Sequence, residues 1–256
     1  MMSLTTEQIN SVKGRGFLRN RGTDCFSGRI LACGTVFTAE NMRDIATLAE
    51  TYGNGTMIPT ARQCIEVPAI PFDRIPDAEA FAAAHGLIFG GPGPKVRPVT
   101  ACKGTTCVFG CYDTQALAKK IHETYYTGWN SVKLPHKFKI GVGGCPNSCI
   151  KPSLNDFGIE GRRVAGQREA AYQIYVGGTW GKTTRMGTPL SRLVSEEEIL
   201  PILEKTLLWF RENAYVKERL GNAVDRIGAD KLEKALFSED LIRRKQEILA
   251  AALKER

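Results

Sequence analysis

Residues 99–111 and 137–149 read VTACKGTTCVFGC and KFKIGVGGCPNSC, and these two runs decide how the chain is read. Each carries cysteines in a glycine-bearing turn, and the second enters its turn from a strand-like run. Cys102 and Cys107 form one local pair, and Cys145 and Cys149 a second. Two local pairs brought together by a fold can make a four-thiolate cage for an iron–sulfur cluster or zinc. Glycine-rich turns expose backbone N–H groups that hydrogen-bond cluster sulfides, and zinc sites more often use C-x2-C pairs. The spacing therefore favours a [4Fe–4S] cluster on Cys102, Cys107, Cys145 and Cys149 over zinc. Cys111 could serve in place of a neighbour. Its plainer reading, shared by the isolated Cys25, Cys33 and Cys64, is a small buried hydrophobe.

The bulk of the chain agrees with an ordinary globular protein. It has 256 residues, 43% of them hydrophobic and 24% charged, enough for one or two domains with a proper core. No run approaches the roughly 20 apolar residues of a membrane span. The start, MMSLTTEQINSVKGRG, lacks the apolar segment of a secretory signal, so the cytoplasm is the expected compartment. Eight cysteines in a reducing compartment point to metal or redox chemistry rather than disulfides. The net charge of +8 suits an anionic partner, cofactor or substrate. The basic residues are scattered, which disfavours a nucleic-acid-binding tail.

Working outward, residues 1–27 read as a polar arm. RILACGTVF (29–37) reads as a strand, followed by a helix that Thr38 can cap and Gly53 stops. TMIPTARQCIEVPAI (56–70) reads as an edge or interrupted strand because of Pro59, and PDAEAFAAAHG (76–86) as a second helix. GGPGPKVRP (90–98) is a boundary segment. Beyond it, Asp113 can cap a helix with Leu117, Ile121 and Tyr125 on its apolar face. AYQIYVGGTWG (171–181) is a strand and turn. Ser195 and Glu198 form a capping box ahead of a helix that Pro201 should kink or delay. SEDLIRRKQEILAAALKER (238–256) reads as a terminal amphipathic helix.

Several motifs in order carry a resemblance: TARQ at 60–63, ACKGTTCVFGCYDTQALA, KFKIGVGGCPNSC, YVGGTWGKTTRMGTPL and ERLGNAVDRIGADKLEKAL. Together they resemble the sirohaem-dependent sulfite and nitrite reductases over about residues 28–235. The resemblance implies an α+β chain: a small ferredoxin-like α/β sandwich domain (28–90), then an α+β sirohaem/[4Fe–4S] domain (91–220), then a C-terminal helical tail (221–256). It implies a coupled sirohaem–[4Fe–4S] centre, with Cys149 bridging a cluster iron to the haem iron. The implied reaction is six-electron reduction of sulfite to sulfide, with nitrite to ammonia as the alternative.

Small oxyanions that lose oxygen as water need fixed positive charge and proton donors. Arginine binds oxyanions bidentately, and lysine titrates readily on burial. By family position, Arg62, Lys137 and Lys139 would fill these roles, with Arg29 as a fourth candidate. In a strand Lys137 and Lys139 project to one face, where an anion would relieve their repulsion. Arg97, Lys182 and Arg185 would pair sirohaem carboxylates. His136 is a lone candidate proton donor.

Two departures stand out. The first cysteine pair is C-x4-C where the commonest family spacing is C-x5-C, which keeps Cys111 open as a ligand. The usual enzymes contain two copies of this two-domain unit and this chain holds one, so self-association as a homodimer is expected. No nicotinamide or flavin fingerprint is present, so electrons would come from a ferredoxin-like donor or a partner subunit. The competing reading is a [4Fe–4S] electron-transfer protein without sirohaem.

Overall fold

A computed structural model describes residues 4–166 and 168–256 and divides the chain at Gly93 and Pro94, inside the glycine–proline segment. In the first unit α1 (Thr6–Lys13) precedes β1 (Phe17–Arg19) and β2 (Cys25–Leu31). Then come α2 (Ala39–Tyr52), β3 (Ile58–Pro59), β4 (Ile65–Pro71), α3 (Ile75–Ala84) and β5 (Ile88–Phe89). β2 pairs antiparallel with β4 on one side and with β1 and β5 on the other, while β3 lies antiparallel at the outer edge of β4. From β2 to β5 this is the split β-α-β arrangement of a ferredoxin-like half domain. Phe26, Ile30, Val67 and Ile70 from the strands meet Ile45, Leu48, Ile75 and Ala78 from the helices, all buried.

Residues 4–27 are not an arm; residues 1–3 lie outside the described residues. Thr5 and Gln8 close a reciprocal capping box on α1. Val12 and Phe17 then enter the core, and β1 pairs with β2. The polar composition hid this because few side chains, Val12, Phe17 and Phe26 with Leu4 and Ile9 packed against them, anchor the segment. The strand expected over 29–37 runs instead from Cys25 to Leu31, and stops before Gly34 and Thr35, both at positive φ. The 56–70 strand is a hairpin, with Pro59 on the edge strand as its missing N–H requires.

The second unit carries β6 (Thr100–Ala101), α4 (Thr114–Ile121), β7 (Ile140–Gly143), β8 (Phe157–Arg162), β9 (Ala171–Val176) and β10 (Thr188–Pro189). Its helices α5 (Glu196–Asn213), α6 (Leu220–Ile227), α7 (Ala229–Leu236), α8 (Asp240–Arg243) and α9 (Lys245–Ala250) follow. The sheet order is β10-β9-β8-β7-β6; β6, β7 and β8 run parallel, and the β8–β9 and β9–β10 pairs are antiparallel. Ile140, Val142, Phe157, Ile159, Ile174 and Val176 are buried, as are Leu203, Leu207 and Phe210 of α5.

Helix α5 starts at its capping box, where the Glu198 side chain accepts the Ser195 N–H at 2.9 Å, and runs through Pro201 without delay. The segment read as a tail buries Ala223, Val224, Leu232 and Leu236, so it belongs to the unit's core. The long terminal helix expected over 238–256 is two short helices meeting at Arg244. Arg211 of α5 donates to the carbonyls of Ile248, Leu249 and Ala251, which caps the last turn and ends it. Among the described residues no helix is long and apolar enough to cross a membrane.

Candidate functional site: two cysteine turns and a cationic cluster at opposite ends of one strand

Parallel strands β6 and β7 end at the same edge of the sheet, and each runs directly into a cysteine turn. Cys102 follows Ala101 and donates its N–H to the Val142 carbonyl at 3.0 Å. Gly144 follows β7 and donates its N–H to Cys102 Sγ at 3.2 Å, an amide-to-sulfur bond of the kind that tunes thiolate ligands. A Cβ on Gly144 would lie 3.1 Å from Gly104 Cα and 3.3 Å from Cys102 Sγ, so a side chain there would press the two turns apart. Cys111 donates its N–H to the Gly144 carbonyl at 2.9 Å, locking the far end of the first turn to the second.

The first turn is also tied to α4. Thr114 Oγ1 donates to the Cys102 carbonyl at 2.8 Å, and Asp113 accepts from Thr105 Oγ1 and from the first amides of the helix. Those bonds hold the Asp113 carboxyl below the usual range. The second turn contains two non-glycine residues at positive φ, Ser148 and Lys151, flanking an exposed Cys149. Backbone strain of this kind is retained where the surrounding structure imposes it.

A cavity of about 430 Å³ opens between the turns, with Cys111 and Cys145 in its wall. Among the described residues no three His, Cys, Asp or Glu side chains are gathered for a single metal ion. The cysteines instead stand on two clamped turns, with Cys111 and Cys145 facing the cavity, a donor set suited to a cluster whose irons each take a separate thiolate. Cys102, Cys107, Cys145 and Cys149 would hold it. The cavity wall also brings in Cys111, so that residue stays a candidate.

The amino ends of β7 and β8 carry the second feature. Asp156 is fully buried. It accepts the Lys139 N–H at 2.8 Å, and Arg219 donates to both of its oxygens. Burial raises the Asp156 carboxyl, and Arg219 pulls it back. Lys137 and Lys139 flank the fully buried Phe138 and are themselves partly exposed, so both project away from the core. Burial, then Arg219 and Arg97, lower the Lys137 ammonium. His136 is pushed down to about 4 by burial and by Arg219, Lys137 and Arg97, and its Nδ1 accepts the Lys137 N–H. Arg97, Lys137, Lys139 and Arg219 thus form a cluster of positive charge around one carboxylate, an arrangement that fits a polyanionic macrocycle or an oxyanion. His136 is neutral at neutral pH and is a weak proton donor there.

The remaining sequence candidates fall as follows. Lys182 is exposed. Arg185 does not offer itself to sirohaem: it donates to Asp225 Oδ1 and Oδ2, the Gly177 and Met186 carbonyls and Thr188 Oγ1. Its N–H groups are committed to holding the β9–β10 turn onto α6. In the first unit Arg29 is paired with Glu66, donating from both Nε and Nη2, so its charge is already matched. Arg62 is half-buried in the turn between β3 and β4, where Thr60 Oγ1 accepts the Arg62 and Cys64 N–H groups and Gln63 takes positive φ. Sequence reasoning missed Asp156, Arg219 and Arg162. The signal was present for one of them: Glu160 and Arg162 sit two residues apart on one face of a strand whose other residues are apolar or glycine, and a buried acid needs a partner.

Comparison with known proteins agrees with this layout. Residues 92–245 match the nitrite and sulphite reductase 4Fe-4S domain, and residues 19–85 the nitrite/sulfite reductase ferredoxin-like half domain. A coenzyme F420-dependent sulfite reductase of Methanocaldococcus jannaschii is 26% identical over 76% of this chain and 39% of its own length. A nitrite reductase (NAD(P)H) of Bacillus subtilis is 28% identical over 79% of this chain and 24% of its own. The chain therefore spans well under half of these two relatives. The solved structure of Mycobacterium tuberculosis NirA superposes with a TM-score of 0.78 at 16% identity, covering 98% of this chain and 48% of that one, which shows a shared fold. With the two matched segments lying in the order the fold requires, this chain belongs to the nitrite and sulphite reductase 4Fe-4S domain family.

Proposed function

We propose that this chain carries a coupled sirohaem–[4Fe–4S] centre and reduces sulfite to sulfide by six electrons, with nitrite to ammonia as the alternative substrate. The observation that carries this reading is the cationic cluster of Arg97, Lys137, Lys139 and Arg219 gathered by the amino end of β7, the strand that ends in the Cys145 turn. A cluster-only relay has no use for such a concentration of positive charge.

When bound, the centre would supply electrons one at a time to the substrate. The chain's own residues would do the rest. Lys137 and Lys139 would bind the oxyanion and offset its charge. Lys137, with its lowered pKa, releases a proton more readily than an exposed lysine and would help each departing oxygen leave as water. Cys102, Cys107, Cys145 and Cys149 would hold the cluster, and Arg97 the carboxylates of sirohaem.

A second copy of the chain fits this arrangement. The lysines and the cysteines lie at opposite ends of β7, whose four residues span roughly 13 Å at a rise of about 3.3 Å each. A homodimer with two-fold symmetry would bring the cations of one chain toward the cysteines of the other. Electrons would come from a ferredoxin-like protein or a partner subunit, and the reduced thiols suit the cytoplasm.

The test is anaerobic purification with a visible spectrum, iron and acid-labile sulfide content, and turnover with each anion. Sirohaem bands, with about five iron per chain and sulfite turnover, support the proposal. About four iron with no porphyrinoid band would replace it with the electron-transfer reading. Faster turnover with nitrite would exchange the substrate and leave the centre in place.

A further inference from the structure

The cavity between the cysteine turns has a wall that the cysteines do not explain. Val108, Phe109, Cys111 and Cys145 form part of it, and Arg162 and Arg163 form another part. Arg162 is the last residue of β8, which runs parallel to β7 with Glu160 beside Gly143. Arg162 and Cys145 both line the cavity. Gly161 is what lets β8 come so close: a Cβ there would lie 2.7 Å from the Gly144 carbonyl oxygen and 2.8 Å from the Tyr112 ring.

The guanidinium is held from one side. Nη2 lies 2.5 Å from Oε1 of Glu160, whose side chain is 5% exposed, and donates to the Tyr175 hydroxyl at 3.4 Å. Nε is buried and meets no acceptor. A planar donor group fixed by a buried carboxylate, with N–H groups left over at the wall of a cavity, is arranged for an acceptor that enters the cavity. Arg163 differs: its Nη2 donates to the Gly110 carbonyl at 3.0 Å and so braces the first cysteine turn.

From this geometry we infer that the Arg162 guanidinium hydrogen-bonds the sulfur of the cluster held by the cysteine turns and raises its reduction potential. Four thiolates make the cluster anionic, and one-electron reduction by the external donor adds a further negative charge without breaking a bond. A fixed guanidinium stabilises the reduced form more than the oxidised one. Glu160 acts through Arg162 as a positioning residue. The inference rests on the cysteine turns holding a cluster, which iron and sulfide content test on their own.

The experiment is a potentiometric titration of the purified holoprotein, followed by the EPR signal of the reduced cluster, for the native chain and for Arg162→Gln, Arg162→Lys and Arg163→Gln. Each is checked for iron and sulfide before titration. Arg162→Gln is expected to make reduction about tenfold less favourable, a potential lower by about 59 mV for one electron. Arg162→Lys, which keeps the charge and loses the planar donor, is expected between that value and the native one. Arg163→Gln is expected to shift the potential by less than Arg162→Gln. A native potential in Arg162→Gln, or in Arg162→Lys should the glutamine variant fail to load, would overturn the inference. Equal shifts in Arg162→Gln and Arg163→Gln would do the same, because charge alone would then explain both.

Discussion

Arg219 reaches across 63 residues of chain to donate to both oxygens of Asp156, at 2.9 and 2.8 Å, where the carboxylate has no exposure to solvent. The same carboxylate takes the Lys139 backbone N–H. One buried pair therefore ties the start of α6 to the amino ends of β7 and β8, where the cations cluster.

Arg219→Leu would leave that carboxylate buried without its counter-charge. The expected cost is about 3–5 kcal/mol of folding stability, since removing one partner of a buried pair costs far more than the pair contributes. Urea unfolding of the native and variant chains measures it. A loss below about 1 kcal/mol would mean that water or another cation reaches Asp156.

The lowered His136 gives stability a pH dependence on the acid side. Its folded value of about 4 lies below the ordinary 6.5, so as pH falls the unfolded chain takes up the proton first. Stability from this group is complete above pH 6.5 and declines through the window down to about 4. Unfolding free energies of the native chain should fall across that window, and His136→Gln should flatten part of the slope. An unchanged slope would show that His136 is not the titrating group.

Lys137→Met and Lys139→Met should each lower turnover of sulfite by about 10²–10³-fold, the range for removing a charge or proton donor at the reacting centre. Their unfolding free energies should stay within about 1 kcal/mol of native, because both side chains are partly exposed and for Lys137 the lost attraction to Asp156 is offset by lost repulsion from Arg219 and Arg97. Turnover near native with an intact visible spectrum would remove both lysines from the substrate site.

Cysteine substitutions decide the ligand set. Cys107→Ala should lower iron and sulfide content sharply, while Cys111→Ala should keep both near native. The reverse result would make Cys111 the ligand. Gly144→Ala should lower loading as well, because its methyl group would press on Cys102 Sγ and on Gly104 and part the two turns.

Local chemistry was legible in the sequence, and long-range chemistry was not. The caps at Thr38, Asp113 and Ser195 were readable because each acts within three residues of itself. The cysteine pairs were readable for the same reason, and the alternation of Lys137, Phe138 and Lys139 gave their shared face. Asp156 was not, since NDFG reads as a turn until Arg219 is placed against it. Arg185 misled because an exposed-looking arginine in a glycine-rich loop gives no hint of Asp225, 40 residues on. The terminal helix misled because its apolar spacing is helical throughout, while its actual end is set by Arg211, a residue of another helix.

The close fit of the two cysteine turns also orders events in the life of the chain. Forty-two residues separate Cys102 from Gly144, and they meet only after β6 and β7 have paired. Neither turn alone offers four thiols. A complete cysteine set for iron and sulfide therefore exists only in a chain whose second unit has folded. Biogenesis would then proceed as polypeptide first and inorganic core second, and overproduction that outruns cofactor supply should accumulate a folded, colourless precursor that can still be reconstituted.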